Sequence, residues 1–343
     1  MLNKELLKKA RDYIFEIYKK LNELKDLTHP TKRIEENNKE KEEKINNITK
    51  ISNDIMILSS RYYELIPKEK YKESFIQPFG TIEEVQQEIQ MIDNLFYVER
   101  AVNILLGAQS KIKEINPLDY VYNCLQTKFT LIKQNTSEYE VIIKYIKNSS
   151  PNEKVINIFS VNRKGENENM KKWEKLKNHY LLFHGTKIFN YLGIFSNGLN
   201  IALPEAPSTG YLFGKGIYLA DEYTKSINYC DSFYNKNDKK SYSYILLCEA
   251  ALGKIYECTM NDFKDLSFLN DGFNSLKSLS LTGPDLSKSF ICNNGIIIPF
   301  GNIISYDNNN YKLNNQRTNM PEYIIYDTTQ VKIRYIIQVE RSF

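Results

Sequence analysis

His184, Tyr218, Lys225, Ser226 and Tyr229 stand among glycines in the stretch Leu181–Tyr229, and a glutamate, Glu322, precedes a later apolar run. His184 closes the apolar run Leu181-Leu182-Phe183 and is followed by Gly185 and Thr186. An imidazole there can hydrogen-bond a ribose hydroxyl through either ring nitrogen. Gly185 lets a ligand approach the backbone, whose N–H and C=O can pair with a primary amide. Tyr218 and Tyr229 offer aromatic faces, and stacking a flat cation such as a nicotinamide ring on one is worth about 0.5–2 kcal/mol. Ser226, three residues before Tyr229, shares its helical face and could bond the same amide. Glu322 could serve as the anion facing a cationic transition state. Such a mixture suits a pocket for a nucleotide carrying a flat aromatic cation.

Taken singly, each residue has an ordinary reading. A His-Gly pair at the end of an apolar run is usually a satisfied core histidine before a turn. The chain has 25 tyrosines, so one more aromatic says little. An acid at a loop-to-strand junction is usually solvated. Gly210, Gly214 and Gly216 do not spell GxGxxG. They read as a loop over a pocket leading into a strand, not as a phosphate cradle.

The elements that must position these residues fall into two textures. The first half reads as helical. Leu6, Leu7, Ala10, Ile14, Tyr18 and Leu21 keep helical spacing within Leu2–Leu27, and His29-Pro30 ends that helix. Lys32–Lys44 is a run of both charge signs, read as a solvated helix or linker. A second helix covers about Ile45–Glu64 and stops at Ile66-Pro67. Thr81-Ile82-Glu83-Glu84 has the capping-box pattern ahead of a long helix expected to end at Leu106, before Gly107. Pro117 opens a further short helix. After about Thr127, β-branched and aromatic runs alternate with turn residues: Val155–Val161, Tyr180–Phe183, Gly216–Ala220, Tyr244–Ala251, Gly295–Pro299, Tyr323–Tyr326 and Val331–Val339. Helices interrupt them at about Glu140–Lys147, Ile188–Asn197 and Glu222–Tyr229. The fold class expected is α+β: an N-terminal all-α region, then a mixed, mostly antiparallel sheet.

Composition bounds the rest. At 343 residues the chain is long enough for two domains. No apolar run is long enough to span a membrane, and Met1–Lys9 is charged, without the apolar region of a secretion signal. The net charge of +4 is too balanced to argue nucleic-acid binding. The five cysteines show no CxxC pairing and only three histidines exist, so no metal site is expected. Cys124, Cys248 and Cys292 have apolar neighbours, in keeping with reduced thiols.

Together, His184-Gly185-Thr186, the segment Gly210–Ala220, Lys225–Cys230, Glu249–Gly253 and Glu322–Asp327 strongly resemble the catalytic domain of poly(ADP-ribose) polymerases. Upstream, Leu58–Pro67, Met91–Leu95 and Asn116–Asp119 resemble the α-helical regulatory domain of that family and its junction with the catalytic domain. The resemblance runs from about Ile45 to the C-terminus. It implies a division into a divergent helical or charged region (1–44), a helical regulatory domain (45–115, with part of 1–44 open to inclusion in it) and an ADP-ribosyltransferase domain (116–343). His184 matches the histidine on the adenine-side ribose, Tyr218 the tyrosine below the nicotinamide and Tyr229 the one stacked above it. Gly185 and Ser226 match the carboxamide contacts, and Glu322 the catalytic glutamate. Lys225 matches a lysine lining the site, and Asn190 a polar contact to the adenosine side. Thr186, Tyr211 and Ala220 complete the implied donor-binding set, and the segment Gly198–Gly216 matches the loop over it.

The implied activity consumes NAD⁺, needs no metal, and transfers ADP-ribose to protein acceptors, this chain among them, with elongation to polymer. A nuclear location and a role in the DNA damage response come with the resemblance. No DNA-reading module is visible, so DNA as an activator would have to act through the N-terminal region or a partner. Departures are equally specific. Asn200 stands where better-known members carry an Arg. Asp93 matches an acidic residue facing the donor site, whereas Gln90 and Tyr97 replace two others, which bears on restraint by the helical domain. Asp307–Met320 is long and Asn-rich. Two alternatives remain: a mono-ADP-ribosyltransferase, or an inactive module that binds NAD⁺ or ADP-ribose.

Overall fold

In a computed structural model of the chain, the structure describes residues 4–28, 38–67, 77–201, 212–306 and 317–341. It divides into two compact units, one running to Glu99 and the other taking in Arg100–Ile201 and the chain after residue 211.

The helical unit is built from α1 (Lys4–Thr28), α2 (Asn38–Leu65) and the first part of α3 (Ile82–Ser110). Its core is the apolar stripe of each helix: Leu7, Ile14 and Ile17 from α1, Ile55, Leu58 and Tyr62 from α2, Val85, Ile89 and Ile92 from α3. Each such side chain contributes about 1.5–3 kcal/mol by leaving water. The capping box forms as the sequence predicts. Glu84 N–H donates to Thr81 Oγ1 (3.1 Å), and Thr81 N–H donates back to Glu84 Oε2 (3.2 Å). The buried Tyr62 hydroxyl donates to Glu88 Oε1 at 2.8 Å, satisfying a polar group in the core. Arg11 on α1, 7% exposed, reaches Asp93 at 3.4 Å and lies over the rings of Phe15 and Phe96. Asp93, expected to face a donor site, thus has Arg11 of the same unit as one partner.

Two expectations about this region are corrected. The second helix starts ahead of Ile45: α2 begins at Asn38 and takes in the charged run from there to Lys44, the helix reading of that run. And α3 does not stop at Leu106; it runs through Gly107 to Ser110. Gly107 is there for space, since a Cβ would strike the Tyr120 ring. Asn116 then caps α4 (Pro117–Leu125), its Oδ1 accepting from Leu118 N–H at 2.9 Å.

The second unit follows in chain order with β1 (Thr127–Leu131), α5 (Ser137–Ser149), β2 (Lys154–Arg163), α6 (Glu166–Lys171), β3 (His179–His184), α7 (Tyr191–Asn197), β4 (Ile217–Leu219) and α8 (Tyr223–Ile227). After it come β5 (Phe233–Asn235), β6 (Lys240–Ala251), β7 (Ile255–Cys258), β8 (Ser275–Ser278), β9 (Thr282–Pro284), β10 (Phe290–Ile291), β11 (Ile297–Ile298), β12 (Ile303–Ser305), β13 (Tyr323–Ile325) and β14 (Val331–Arg341). Among the described residues the main sheet has the order β1-β2-β14-β6-β3-β11-β10, with β5 hairpinned on β6. A smaller sheet has the order β4-β13-β8-β7, and β9 pairs β12. Pairing is antiparallel except at β11–β3 and β7–β8.

The burial of each strand explains its sequence. β14 alternates buried and half-buried residues along its length, the signature of one covered face. β6, between β14 and β3, is almost wholly buried, and from Ile245 to Ala251 it is apolar on both faces except at Glu249, which pairs with His179 and Arg334. Ile142, Tyr145 and Ile146 of α5, with Tyr223 and Ile227 of α8, cover one side together with Phe183, Leu247 and Ile337. A second cluster under the smaller sheet joins Phe213, Cys258, Phe268, Leu276 and Ile324. Among the described residues no helix is long and apolar enough to cross a membrane.

Candidate active site

The two sheets meet where β3 ends. Phe183 N–H donates to Ala220 O at 2.7 Å and Ala220 N–H donates to Phe183 O at 2.9 Å, an isolated antiparallel bridge. That bridge brings His184, at the last position of β3, beside Tyr218 in the middle of β4. The His184 Nδ1 lies 2.9 Å from the Tyr218 carbonyl. A carbonyl only accepts, so Nδ1 carries the proton and Nε2 is left as an acceptor. Desolvation holds the imidazole below its ordinary value, against the pull of that carbonyl, which keeps the ring neutral near pH 7.

Tyr218 is anchored at its far end as well. Its hydroxyl accepts from Phe213 N–H (3.0 Å) and donates to Gly214 O (2.8 Å), closing the turn that feeds β4. Gly214 sits there at φ +73, a conformation that L side chains rarely adopt. The Tyr326 hydroxyl ties the same turn by donating to Phe213 O at 2.6 Å.

α8 packs against the end of β3 and carries Lys225 and Ser226. The Ser226 hydroxyl donates to Phe183 O at 3.2 Å. Gly185 must be a glycine here, because a Cβ would overlap the Ser226 carbonyl oxygen and lie 3.2 Å from Tyr229 Cβ. Tyr229, just past the helix, is anchored through its N–H to Ser226 O (3.1 Å) while its side of the chain stays exposed. Asn190, nearly buried, donates through Nδ2 to Thr186 Oγ1 at 2.9 Å, so the adenosine-side amide of the sequence reading is at least partly engaged in bracing the segment after His184.

Glu322 arrives from the third strand. It immediately precedes β13, whose Ile324 pairs with Tyr218. The side chain is buried. Its Oε1 lies 2.6 Å from Lys225 Nζ, and among the described residues Oε2 has no hydrogen-bond partner. An ionised oxygen buried without a partner is costly, and such groups mark places where a ligand supplies what the protein withholds. The arrangement thus brings His184, Gly185, Tyr218, Ala220, Lys225, Ser226, Tyr229 and Glu322 onto the adjoining ends of β3, β4, α8 and β13. Tyr211, the residues 202–210 and the segment 307–316 lie outside the described residues.

Sequence reasoning gave no role to the neighbouring Asp221. It is 2% exposed; the Tyr323 hydroxyl donates to its Oδ2 at 3.0 Å, and Oδ1 has no partner among the described residues. Burial pushes this carboxyl up to about 7, against Lys277 and the Tyr323 hydroxyl, with Glu222 adding to the rise. The folded state therefore binds a proton that the unfolded chain releases near pH 4. The stability this contributes is whole below pH 4 and is lost as pH rises through about 7. Asp221→Asn mimics the protonated acid. Relative to the variant, the unchanged chain should lose thermal stability between pH 5 and pH 8 in paired melts; a constant gap across that range would show that the proton is not there.

Residues 136–341 match the family model described as poly(ADP-ribose) polymerase catalytic domain, and residues 1–122 the model described as poly(ADP-ribose) polymerase, regulatory domain. A poly(ADP-ribose) polymerase of Drosophila melanogaster is 36% identical over 295 residues, which is 83% of this chain and 28% of that protein. The poly(ADP-ribose) polymerase 1 of Gallus gallus is 35% identical over 84% of this chain and 28% of its own length. The poly(ADP-ribose) polymerase 2 of Zea mays is 33% identical over 83% of this chain and 43% of its own length. The chain thus spans less than half of each of these relatives.

Proposed function

The chain belongs to the poly(ADP-ribose) polymerase family, and on that premise we propose that it is an NAD⁺ ADP-ribosyltransferase that builds polymer on protein acceptors, itself included. Residues 116–343 are the catalytic part and 45–115 the regulatory helical part, to which some of the lead 1–44 also belongs. The proposed place of action is the nucleus, in the response to DNA damage.

The chemistry asks little of an acid. Nicotinamide leaves a positively charged glycoside as a neutral molecule, taking the electron pair of the broken C–N bond. The ribosyl carbon left behind is electron-poor, and a fixed anion lowers the cost of forming it. One observation carries the reading: Glu322 is buried with Oε1 on Lys225 and Oε2 without a partner among the described residues. Oε2 would face the developing charge and accept from the ribose 2′-hydroxyl. By accepting from an incoming hydroxyl it would also polarise the acceptor, which is what elongation requires. A protein that only binds nucleotide has no need of such an anion.

The other residues take binding roles. His184 Nε2 accepts from the adenine-side ribose. The Gly185 backbone pairs with the carboxamide. The Ser226 hydroxyl, its proton committed to Phe183 O, accepts from the amide nitrogen. Tyr218 and Tyr229 flank the ring, with Thr186, Asn190, Tyr211 and Ala220 completing the donor site.

Purified chain incubated with labelled NAD⁺, with and without nicked DNA, tests this on a gel. The expected result is a ladder or smear of labelled protein, heavier with DNA. A single sharp band would mean mono-transfer, and NAD⁺ binding with no label at all would mean a binding module.

A further inference from the structure

We infer that Ser278 and Thr318 are positioning residues that aim Glu322, through a buried relay of hydroxyl groups. The inference rests on Glu322 acting as the anion of the proposed reaction. It starts from an irregularity in strand pairing. β8 and β13 pair in antiparallel register up to Lys277↔Tyr323. An antiparallel ladder exchanges backbone bonds in both directions. One residue further on, the exchange is only half made. Ser278 N–H donates to Glu322 O at 2.9 Å. The return bond goes to a side chain: Glu322 N–H donates to Ser278 Oγ at 2.8 Å.

The hydroxyl's own proton is then accounted for. Ser278 Oγ lies 2.8 Å from Thr318 Oγ1, and Thr318 Oγ1 lies 3.3 Å from Leu279 O. Since Leu279 O can only accept, Thr318 donates to it and Ser278 donates to Thr318. The relay runs one way, from Glu322 N–H through two hydroxyls to a carbonyl. Thr318 is itself held by its N–H to Leu279 O at 3.0 Å. Ser278 is 0% exposed and Thr318 and Glu322 are each 7% exposed, so water cannot stand in for either hydroxyl.

Its consequence is local. Glu322 sits where the chain enters β13, and Lys225 is the partner of its carboxylate. The relay fixes the backbone from which that carboxylate projects, and Lys225 fixes one oxygen. With both in place the second oxygen has a defined position. Remove the Ser278 hydroxyl and Glu322 N–H is left buried without an acceptor, so the backbone shifts to find one.

The test is steady-state kinetics on the full chain, with Ser278→Ala, Thr318→Val and Thr318→Ser beside the unchanged protein. Thr318→Val keeps the shape of the side chain and removes only the hydroxyl. In Ser278→Ala and Thr318→Val, kcat per folded molecule should fall about 10-fold while the KM for NAD⁺ stays within about twofold, since misplacement by a fraction of an ångström weakens the transition state and not binding. Thr318→Ser should keep the unchanged kcat. In a Glu322→Gln background, Ser278→Ala should cost nothing further. A merely structural role would lower the melting temperature and leave kcat per folded molecule intact, and that result in both hydroxyl-less variants would overturn the inference while leaving the proposed reaction standing. A chain that binds NAD⁺ but never consumes it would overturn both.

Discussion

Glu322→Gln is expected to bind NAD⁺ within a few-fold of the unchanged chain and to lose transfer by roughly 100- to 1,000-fold, the usual cost of removing one preorganised electrostatic partner. The substitution keeps size and shape. The amide can still present an oxygen to Lys225, which holds Oε1 at 2.6 Å. What it cannot do is offer an anion at the position of Oε2, the oxygen without a partner among the described residues. It presents an N–H₂ donor there, facing the carbon that becomes electron-poor. Calorimetry would give the affinity, and labelled product on a gel the transfer. Binding retained with transfer lost is the expected pair; long polymer from the variant would remove Glu322 from the mechanism.

Gly185→Ala should act on the other half of catalysis, the grip on the donor. A methyl group there falls on the Ser226 carbonyl oxygen, a backbone atom that cannot rotate away. The end of β3 and α8 would have to part. With them would go the Ser226 Oγ bond to Phe183 O and the Tyr229 backbone anchored on Ser226. Overpacking of this kind costs about 1–3 kcal/mol, which weakens NAD⁺ binding by about 10- to 100-fold if the site bears it. Gly80→Ala is the control, because the nearest atom to a Cβ there is a carboxylate oxygen at 3.9 Å. Equal affinity in the two variants would mean that Gly185 does not line the donor site.

Much of this was legible in the residues, and the pattern of what was not is physical. Long elements declared themselves. The apolar run of β6 and the alternation of β14 are period signals that a central and a half-covered strand must carry. The capping box at Thr81 announced α3, because its two bonds use side chains. Its end was misjudged, since glycine is chosen at Gly107 for room beside Tyr120 and not for chain termination. β7 and β8 escaped because a short parallel pair such as Ile255–Cys258 and Ser275–Ser278 mixes polar and apolar residues without a period. The candidate site was visible as residue types, whereas its wiring was not. Contacts such as His184 to the Tyr218 carbonyl use backbone atoms, which leave no mark on the sequence. The role of Ser278 was hidden for a related reason: a serine at a strand end is common, and only the missing ladder bond gives it meaning.

The placement of β14 has a consequence for how the protein is made. This strand, Val331–Arg341, lies between β2 and β6, so a piece of chain synthesised late joins parts synthesised much earlier. The helical core is complete once α3 has been translated and can collapse while the rest is still being made. The catalytic sheet has no such option. Until Arg341 has been added, β2 with its antiparallel partner β1 has no neighbour on its inner edge, and β6 is open along one side. Such edges are sticky and their closure is slow, since the contacts span so much chain. A nascent chain must therefore wait, exposed, for its last strand. A premature stop ahead of that strand leaves the helical core whole and the sheet unfinished.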